Sequence, residues 1–221
     1  QWIGGNNDDE PRVDTQNGFI KNTNAGLQYS NKWNDKQTLN LTPKFNNQIY
    51  TNNNKRFNKT QIGETQLNEN TATETDVTRT NYKLNATYDV KLDSLNTLKI
   101  STKTNFYTTK SNEFTNGITT DENGILKNNS QKNLDTKSDK QSLMASLLFK
   151  HKFVKLRRTF SMNLSWNSLN NDSDNYLKSD NESFVSGISS SIISLNQNKI
   201  GKKTTQSSSV NLVYTEPIAK N

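Results

Sequence analysis

The sequence contains no cysteine, which excludes disulfide bridges, thiolate metal sites and a cysteine nucleophile. It contains one histidine, His151, so any Ser-His-Asp arrangement would depend on that residue. His151 falls in a segment of alternating apolar and polar residues, where we expect an interfacial or surface side chain. Neither a nucleophile elbow, a phosphate-binding loop nor a dinucleotide fingerprint occurs. We therefore expect no enzymatic activity, no metal site and no cofactor.

Apolar residues are also scarce, at 29% of the chain, and no run of about 18 of them exists to form a transmembrane helix. Such a composition supplies little core for a water-soluble domain. Disordered chains combine low hydrophobicity with high net charge, whereas this chain has a net charge of +7, 9% aromatic residues and only three prolines. The chain begins with Gln1 rather than Met, from which we expect an internal fragment or a processed product.

The basic residues are dispersed along the chain and accompany no nucleic-acid recognition motif. The densest cluster, Lys150 to Arg158, coincides with a predicted tight turn, so we expect no nucleic-acid partner. Two acidic runs, Asp121 to Gly124 and Asp172 to Asn175, resemble pieces of calcium loops, but neither has the closing glutamate. We expect both runs to be loop tips.

Period-two alternation of apolar and polar residues recurs throughout the chain, which is typical of strands with one apolar and one polar face. Helical spacing of apolar residues is absent. The alternating positions of each segment span five to eleven residues, and we expect each segment to belong to a strand of about ten residues, the length of a transmembrane strand. The seven segments are Ala25 to Tyr29, Leu39 to Phe45, Tyr82 to Leu92, Leu98 to Phe106, Leu143 to Phe153, Phe160 to Trp166 and Val210 to Tyr214.

The connections between these segments alternate between short and long. Short connections lie at Asn31 to Lys36, Asp93 to Thr97 and Val154 to Arg158, and long ones at Thr51 to Thr80, Thr109 to Gln141 and Leu169 to Thr205. This pattern predicts an all-β fold: an antiparallel, up-and-down transmembrane β-barrel segment with short periplasmic turns and long extracellular loops. Residues 1–18 form a leading loop or strand extension in this interpretation, and residues 19–221 supply about seven or eight strands of an outer-membrane barrel.

Two details of the segments modify this expectation. Pro43 lies within a predicted strand and cannot donate to a ladder, so we expect a bulge there. The long connections contain short strand-like pieces, Phe57 to Leu67 and Phe184 to Leu195, so we expect some strands to continue into hairpin extensions.

Aromatic residues lie near both ends of the alternating segments, as in the interfacial girdles of transmembrane barrels. The alternative is ordinary cross-strand packing in a soluble β-sandwich. The girdle candidates beside the short turns are Tyr29, Tyr88, Phe149 and Tyr214, and those at the opposite end are Phe45, Phe106 and Trp166.

Several local stretches resemble the barrel of TonB-dependent-receptor-like outer-membrane proteins, and the resemblance extends from about Asn17 onward. They are Ala25-Gly26-Leu27-Gln28-Tyr29-Ser30 before Lys32-Trp33-Asn34, Asp93-Ser94-Leu95-Asn96, Phe149 to Phe153 followed by Arg157 to Leu164, and Val213 to Ile218. The resemblance implies location in the cell outer membrane, contact with its lipid, a larger barrel of near 22 strands, and a part in substrate uptake. It also implies partners: an external ligand at the long loops, a surface lipoprotein and an inner-membrane energy-coupling protein. The family's plug domain is not visible in this sequence.

Three other interpretations remain open. The chain could belong to a structural or adhesive outer-membrane barrel that transports nothing. It could be a secreted, soluble β-rich binding module with a basic surface. It could also be a disordered, asparagine-rich segment.

Overall fold

The computed structural model describes residues 18–217, and eight β-strands account for nearly all of them. Six of the strands are 26 to 28 residues long. The strands are β1 (Gly18–Gly26), β2 (Tyr29–Asn34), β3 (Gln37–Ile62), β4 (Thr65–Lys91), β5 (Asn96–Asp121), β6 (Leu126–Lys152), β7 (Thr159–Val185) and β8 (Ile188–Thr215).

All eight strands form one antiparallel sheet in which β3 to β8 follow each other in chain order. Both β1 and β2 pair with β3, one beyond the other along its outer side. The predicted all-β, up-and-down antiparallel arrangement is therefore confirmed. Within residues 18–217, β8 pairs only with β7, and β1 and β2 pair only with β3, so the sheet has two free edges and is not closed.

Pro43 interrupts the outer strand without shifting its register, so the predicted bulge at this residue is wrong. The pairs Gly26–Lys44 in β1 and Tyr29–Leu41 in β2 belong to one continuous frame. Leu27 N donates to Pro43 O at 3.1 Å, but proline has no N–H to complete the reciprocal bond. The missing ladder bond separates β1 from β2.

The prediction of three long loops is wrong, because each of these regions is a hairpin of two paired strands. Pairing continues along β3 and β4 as far as Ile62–Thr65, and along β7 and β8 as far as Val185–Ile188. Asparagine, threonine and serine occupy both faces there, so the apolar alternation that marks a strand in the sequence fades while the backbone ladder continues. The expected hairpin extensions are present and extend over the whole of each region.

The connections at this far end of the sheet are tight turns with the backbone angles that hairpins require. Ser186 and Gly187 have φ values of 53° and 78°, as in a type I′ turn. Gly63 has φ 61°, as in a type II′ turn with glycine first. The predicted short connections lie at the opposite end, which we call the turn end, between β2 and β3, β4 and β5, and β6 and β7.

The sheet is a single layer without an interior. Tyr50 and Val77 are the only buried apolar side chains among residues 18–217. Leu84 and Leu164, which would fill the core of a sandwich, are 40% and 36% exposed. No helix within this part of the chain has the length and hydropathy needed to cross a membrane. The segment 1–18 predicted to lead into the sheet lies outside the described residues except for Gly18, the first residue of β1.

Candidate functional site

The strand register determines which side chains share a face of the sheet, because directly paired residues point to the same side and neighbours along a strand alternate. One row of paired residues crosses five strands: Leu41, Ala86, Thr102, Ala145 and Trp166. We call the side that bears this row the apolar face, and the opposite side the polar face.

An apolar band covers the apolar face from the turn end to about the middle of the sheet. Its members alternate along each strand and adjoin each other across strands, so seven separate sequence segments form one surface. The band consists of Ala25, Leu27 and Tyr29; Leu39, Leu41, Pro43 and Phe45; Tyr82, Leu84, Ala86, Tyr88 and Val90; Leu98, Ile100, Thr102, Thr104 and Phe106; Leu143, Ala145, Leu147 and Phe149; Phe160, Met162, Leu164 and Trp166; and Val210, Leu212 and Tyr214.

No charged residue belongs to this band. The same strand segments contain charged residues, but the register places each of them on the polar face. The band itself is accessible: Phe106 is 49% exposed and Tyr82 55%. An exposed apolar surface of this extent requires an apolar environment or a covering layer. The charged residues opposite the band are Lys44, Lys83, Asp89, Lys99 and Lys103.

All seven predicted girdle residues lie on the apolar face, and the turn-end set forms an oblique line. Each successive member is displaced by two residues toward the turns over two strands, or one residue per strand. Tyr29 is in register with Ala86, two residues before Tyr88; Tyr88 is in register with Leu147, two before Phe149; and Phe149 is in register with Leu212, two before Tyr214.

The set at the other margin of the band inclines in the same direction. Phe45 and Phe106 share one row, in which both pair with Tyr82. Trp166 lies four residues nearer the turn end, because that row continues through Gln141 to Asn170. The girdle role of these residues remains a prediction, whereas the oblique line of the turn-end set is a property of the register.

Other aromatic residues, which the girdle prediction left out, adjoin these lines. The ring centroids of Phe45 and Tyr82 are 5.0 Å apart, and those of Trp33 and Tyr88 are 6.2 Å apart. Trp33 was left out because the sequence assigned Asn31 to Lys36 to a short turn, whereas the structure extends β2 through Trp33 with a register shift between Lys32 and Asn34. Tyr82 belongs to a predicted alternating segment, so the sequence places it on the apolar face. Its pairing with Phe45 depends on the strand register.

His151 lies on the apolar face at its turn-end margin, next to aromatic residues. Its ring centroid is 4.4 Å from that of Phe153, and its Nδ1 is 2.7 Å from Asn96 Oδ1. Phe153 in turn contacts Tyr214, with centroids 6.1 Å apart. His151 therefore contacts an amide and an aromatic ring in a half-buried position at the edge of the band.

Glu216 connects the end of β8 to the turn between β6 and β7. Arg158 Nη2 donates to Glu216 Oε1 at 2.9 Å, Tyr214 OH donates to Oε2 at 2.7 Å, and Lys155 Nζ contacts Oε1. Hydrogen bonds from Arg158, and then from Lys155 and Tyr214, lower the pKa of Glu216 to about 2. The carboxylate thus remains charged to low pH.

The two acidic runs that resemble calcium loops occupy different positions. Asp121 begins the turn between β5 and β6, where its Oδ1 accepts from the backbone N–H groups of Asn123 (3.0 Å) and Ile125 (2.9 Å). Asp172 to Asn175 lies within β7, so its expected position at a loop tip is wrong. Among residues 18–217, no group of three or more His, Asp or Glu side chains is arranged to hold a metal ion.

The chain matches no known protein-family model and no curated protein.

Proposed function

We propose that this sheet is part of the wall of an outer-membrane β-barrel, with the apolar band against lipid and the polar face toward a water-filled lumen. The observation that carries the proposal is the segregation of charge: seven strand segments combine into one exposed apolar band, and every charged residue in them lies on the other face. Membrane barrels require this arrangement because a charge facing lipid at mid-depth costs roughly 2–4 kcal/mol.

The oblique line of the turn-end aromatic residues supports the same proposal through the strand tilt that it implies. If the residues of this line lie at one membrane depth, the position that reaches this depth shifts by one residue from each strand to the next. With about 3.3 Å per residue and about 4.8 Å between strands, the strands tilt by about 35° from the normal. Transmembrane barrels have tilts of about 35–45°.

The height of the band fits the same geometry. In β5 it extends from Leu98 to Phe106, nine residues that cover about 26 Å along the strand. At a tilt of about 35° this corresponds to about 22 Å along the normal, close to the apolar height of about 25 Å in transmembrane barrels. The remainder of each long strand would project beyond the lipid as a β-hairpin extension.

The free edges imply that further strands complete the barrel. An edge in lipid would leave backbone N–H and C=O groups without partners. Six antiparallel steps separate β2 from β8, so the two outer strands run in the same direction and could pair with each other only in parallel. An all-antiparallel barrel therefore takes an odd number of strands in addition to these, from the same polypeptide or another.

Within such a barrel, we propose a part in substrate uptake across the outer membrane, as the resemblance to TonB-dependent-receptor-like proteins implies. Recognition of an external ligand would fall to the hairpin extensions, since they project from a rigid scaffold. The alternative is an outer-membrane barrel with a structural or adhesive role. A plug domain preceding this chain in the intact polypeptide would favour uptake, and its absence would favour the alternative.

A soluble module is the second alternative, because a second layer could cover the apolar band in water. Fractionation of cells that produce the intact protein separates the two cases. A barrel wall stays with the outer membrane after alkaline or high-salt washing and dissolves only in detergent. Recovery in the aqueous fraction without detergent would contradict the proposal.

A further inference from the structure

A groove of about 350 Å³ lies on the polar face at the turn end, opposite the margin of the apolar band. Its volume falls within the range of small-molecule sites, about 300–1,000 Å³. Five lysines line it, contributed by β2, its following turn, β4, β5 and β6, together with two aspartates. The charged residues are Lys32, Lys36, Lys91, Lys99, Lys150, Asp35 and Asp89.

The two carboxylates leave the groove with excess positive charge however they pair. Asp35 Oδ1 is 2.7 Å from Lys32 Nζ, and Asp89 Oδ1 is 3.5 Å from Lys99 Nζ. Five ammonium groups against two carboxylates give a formal excess of three positive charges. Salt at physiological strength, with a Debye length of about 8 Å, only partly screens an ion in the groove from the ammonium groups nearest to it, so those groups act on the ion together.

The register explains why the lysines converge. Thr97 pairs with Lys91 on one side and with Lys150 on the other, so these two lysines flank it in one row. Their Cα atoms are about 10 Å apart, two inter-strand spacings. Lys99 follows Thr97 by two residues on the same face. The three side chains thus surround a site wide enough for an anion with more than one charged group.

The positive surface continues from the groove along the polar face. Asp89 is the only acidic residue on that face of the strands between the turn end and the row of Tyr50 and Val77. A basic wall that leads to a groove attracts anions along its length and raises their concentration at the groove. The further cations on the path are Lys103, Lys44, Lys83, Arg79 and Lys140.

We infer that this groove binds a small multivalent anion that carries phosphate or carboxylate groups. Lysine ammonium groups bind such anions as point charges and impose no single geometry, which suits a flexible ligand with several anionic groups. The inference deepens the proposed function, on which it rests, because it assigns an anionic class of solute to the lumen side of the wall.

Titration calorimetry of the intact protein in detergent, with inorganic triphosphate as the phosphate probe and citrate as the carboxylate probe, tests this inference. We expect saturable binding that weakens as salt increases. The double variant Lys99→Gln/Lys150→Gln should weaken it by at least about tenfold. Asp89→Asn should strengthen binding, because it removes an opposing carboxylate. The control is Lys110→Gln/Lys137→Gln, an equal charge change on the opposite face, which should leave the affinity unchanged.

Two outcomes would overturn the inference: no saturable binding of either probe, whether or not an acidic peptide such as polyglutamate binds, or equal weakening of binding by the control pair. The ratio of triphosphate to citrate affinity would identify the preferred group. Membrane association of the same preparations is measured in parallel. Membrane integration without binding of either probe would contradict only the inference. Binding of a probe by a protein that stays in the aqueous fraction would contradict the proposed function.

Discussion

Arg158 and Glu216 join the turn between β6 and β7 to the end of β8: Arg158 Nη2 donates to Glu216 Oε1 at 2.9 Å, and Arg158 Nε lies 2.6 Å from Oε2. Paired guanidinium and carboxylate groups of this kind fix geometry as well as charge. The contact lies just outside the apolar band at the turn end, where Tyr214 is the last aromatic residue of the oblique line. It links the end of the edge strand β8 to the adjacent turn, at an edge of the sheet where no further strand is present among the described residues.

The depressed pKa of Glu216 predicts how the stability of this end depends on pH. Because the pKa falls from 4.5 to about 2, the contribution of the carboxylate is complete above pH 4.5 and is lost as the pH falls toward 2. The urea midpoint of the intact protein in detergent should therefore exceed that of Glu216→Gln near pH 6. The difference should narrow as the pH falls below 4.5 and disappear below pH 2. Glu64→Gln, at the far turn, is the control, and a Glu216→Gln difference that is independent of pH would contradict the assignment.

A charge placed in the apolar band should destabilise the protein, and the same charge one residue along the strand should not. Leu164 lies near the middle of the band, and Ser165 points to the polar face. We expect Leu164→Lys to lower the free energy of unfolding in lipid vesicles by roughly 2–4 kcal/mol. Ser165→Lys should change it by less than about 0.5 kcal/mol. Chemical unfolding of both variants in the same vesicles provides the comparison, and similar losses for the two would exclude the proposed orientation.

Removal of the Asp121 carboxylate should loosen the far hairpin of β5 and β6 without affecting the band. Asp121 is 6% exposed, and its carboxylate accepts from two turn amides and pairs with Lys127 at 3.0 Å. In Asp121→Ala the amides of Asn123 and Ile125 lose their acceptor, so hydrogen exchange should accelerate around residues 118–130. Exchange near residues 98–106 should stay as in the parent protein. Acceleration throughout β5 would mean that the hairpin and the band unfold as one unit.

The band and its short turns could be predicted from the sequence because both depend on local contrasts. Leu98, Ile100 and Phe106 alternate with Lys99, Ser101 and Asn105, so the two faces differ sharply within one strand. Beyond the band the contrast disappears: Thr73, Glu74 and Thr75 point alternately to opposite faces and are all polar. Backbone pairing, which needs no apolar side chain, makes this region a ladder, and only turn residues such as Ser186 and Gly187 mark its end.

The candidate site could be predicted only in part, because it depends on register. That Tyr88 and Phe149 share a face follows from alternation, but their displacement by two residues depends on how β5 aligns with both neighbours. The same holds for Lys91 and Lys150, which are distant in sequence and converge on Thr97. Turn lengths determine these alignments, and a single inserted residue would move every side chain of a strand to the other face.

Paired cysteine substitutions along the apolar and polar faces test the central claim most directly, because the sequence has no cysteine to interfere. A spin label is attached to each substituted cysteine. The apolar-face positions are Leu84, Ile100 and Leu147, and their polar-face neighbours are Asn85, Ser101 and Ser146. In the intact protein in lipid vesicles, we predict that the first set collides with lipid-soluble oxygen and the second with a water-soluble nickel chelate. Equal accessibility of the two sets to the nickel chelate, or burial of the first set from both reagents, would contradict the account.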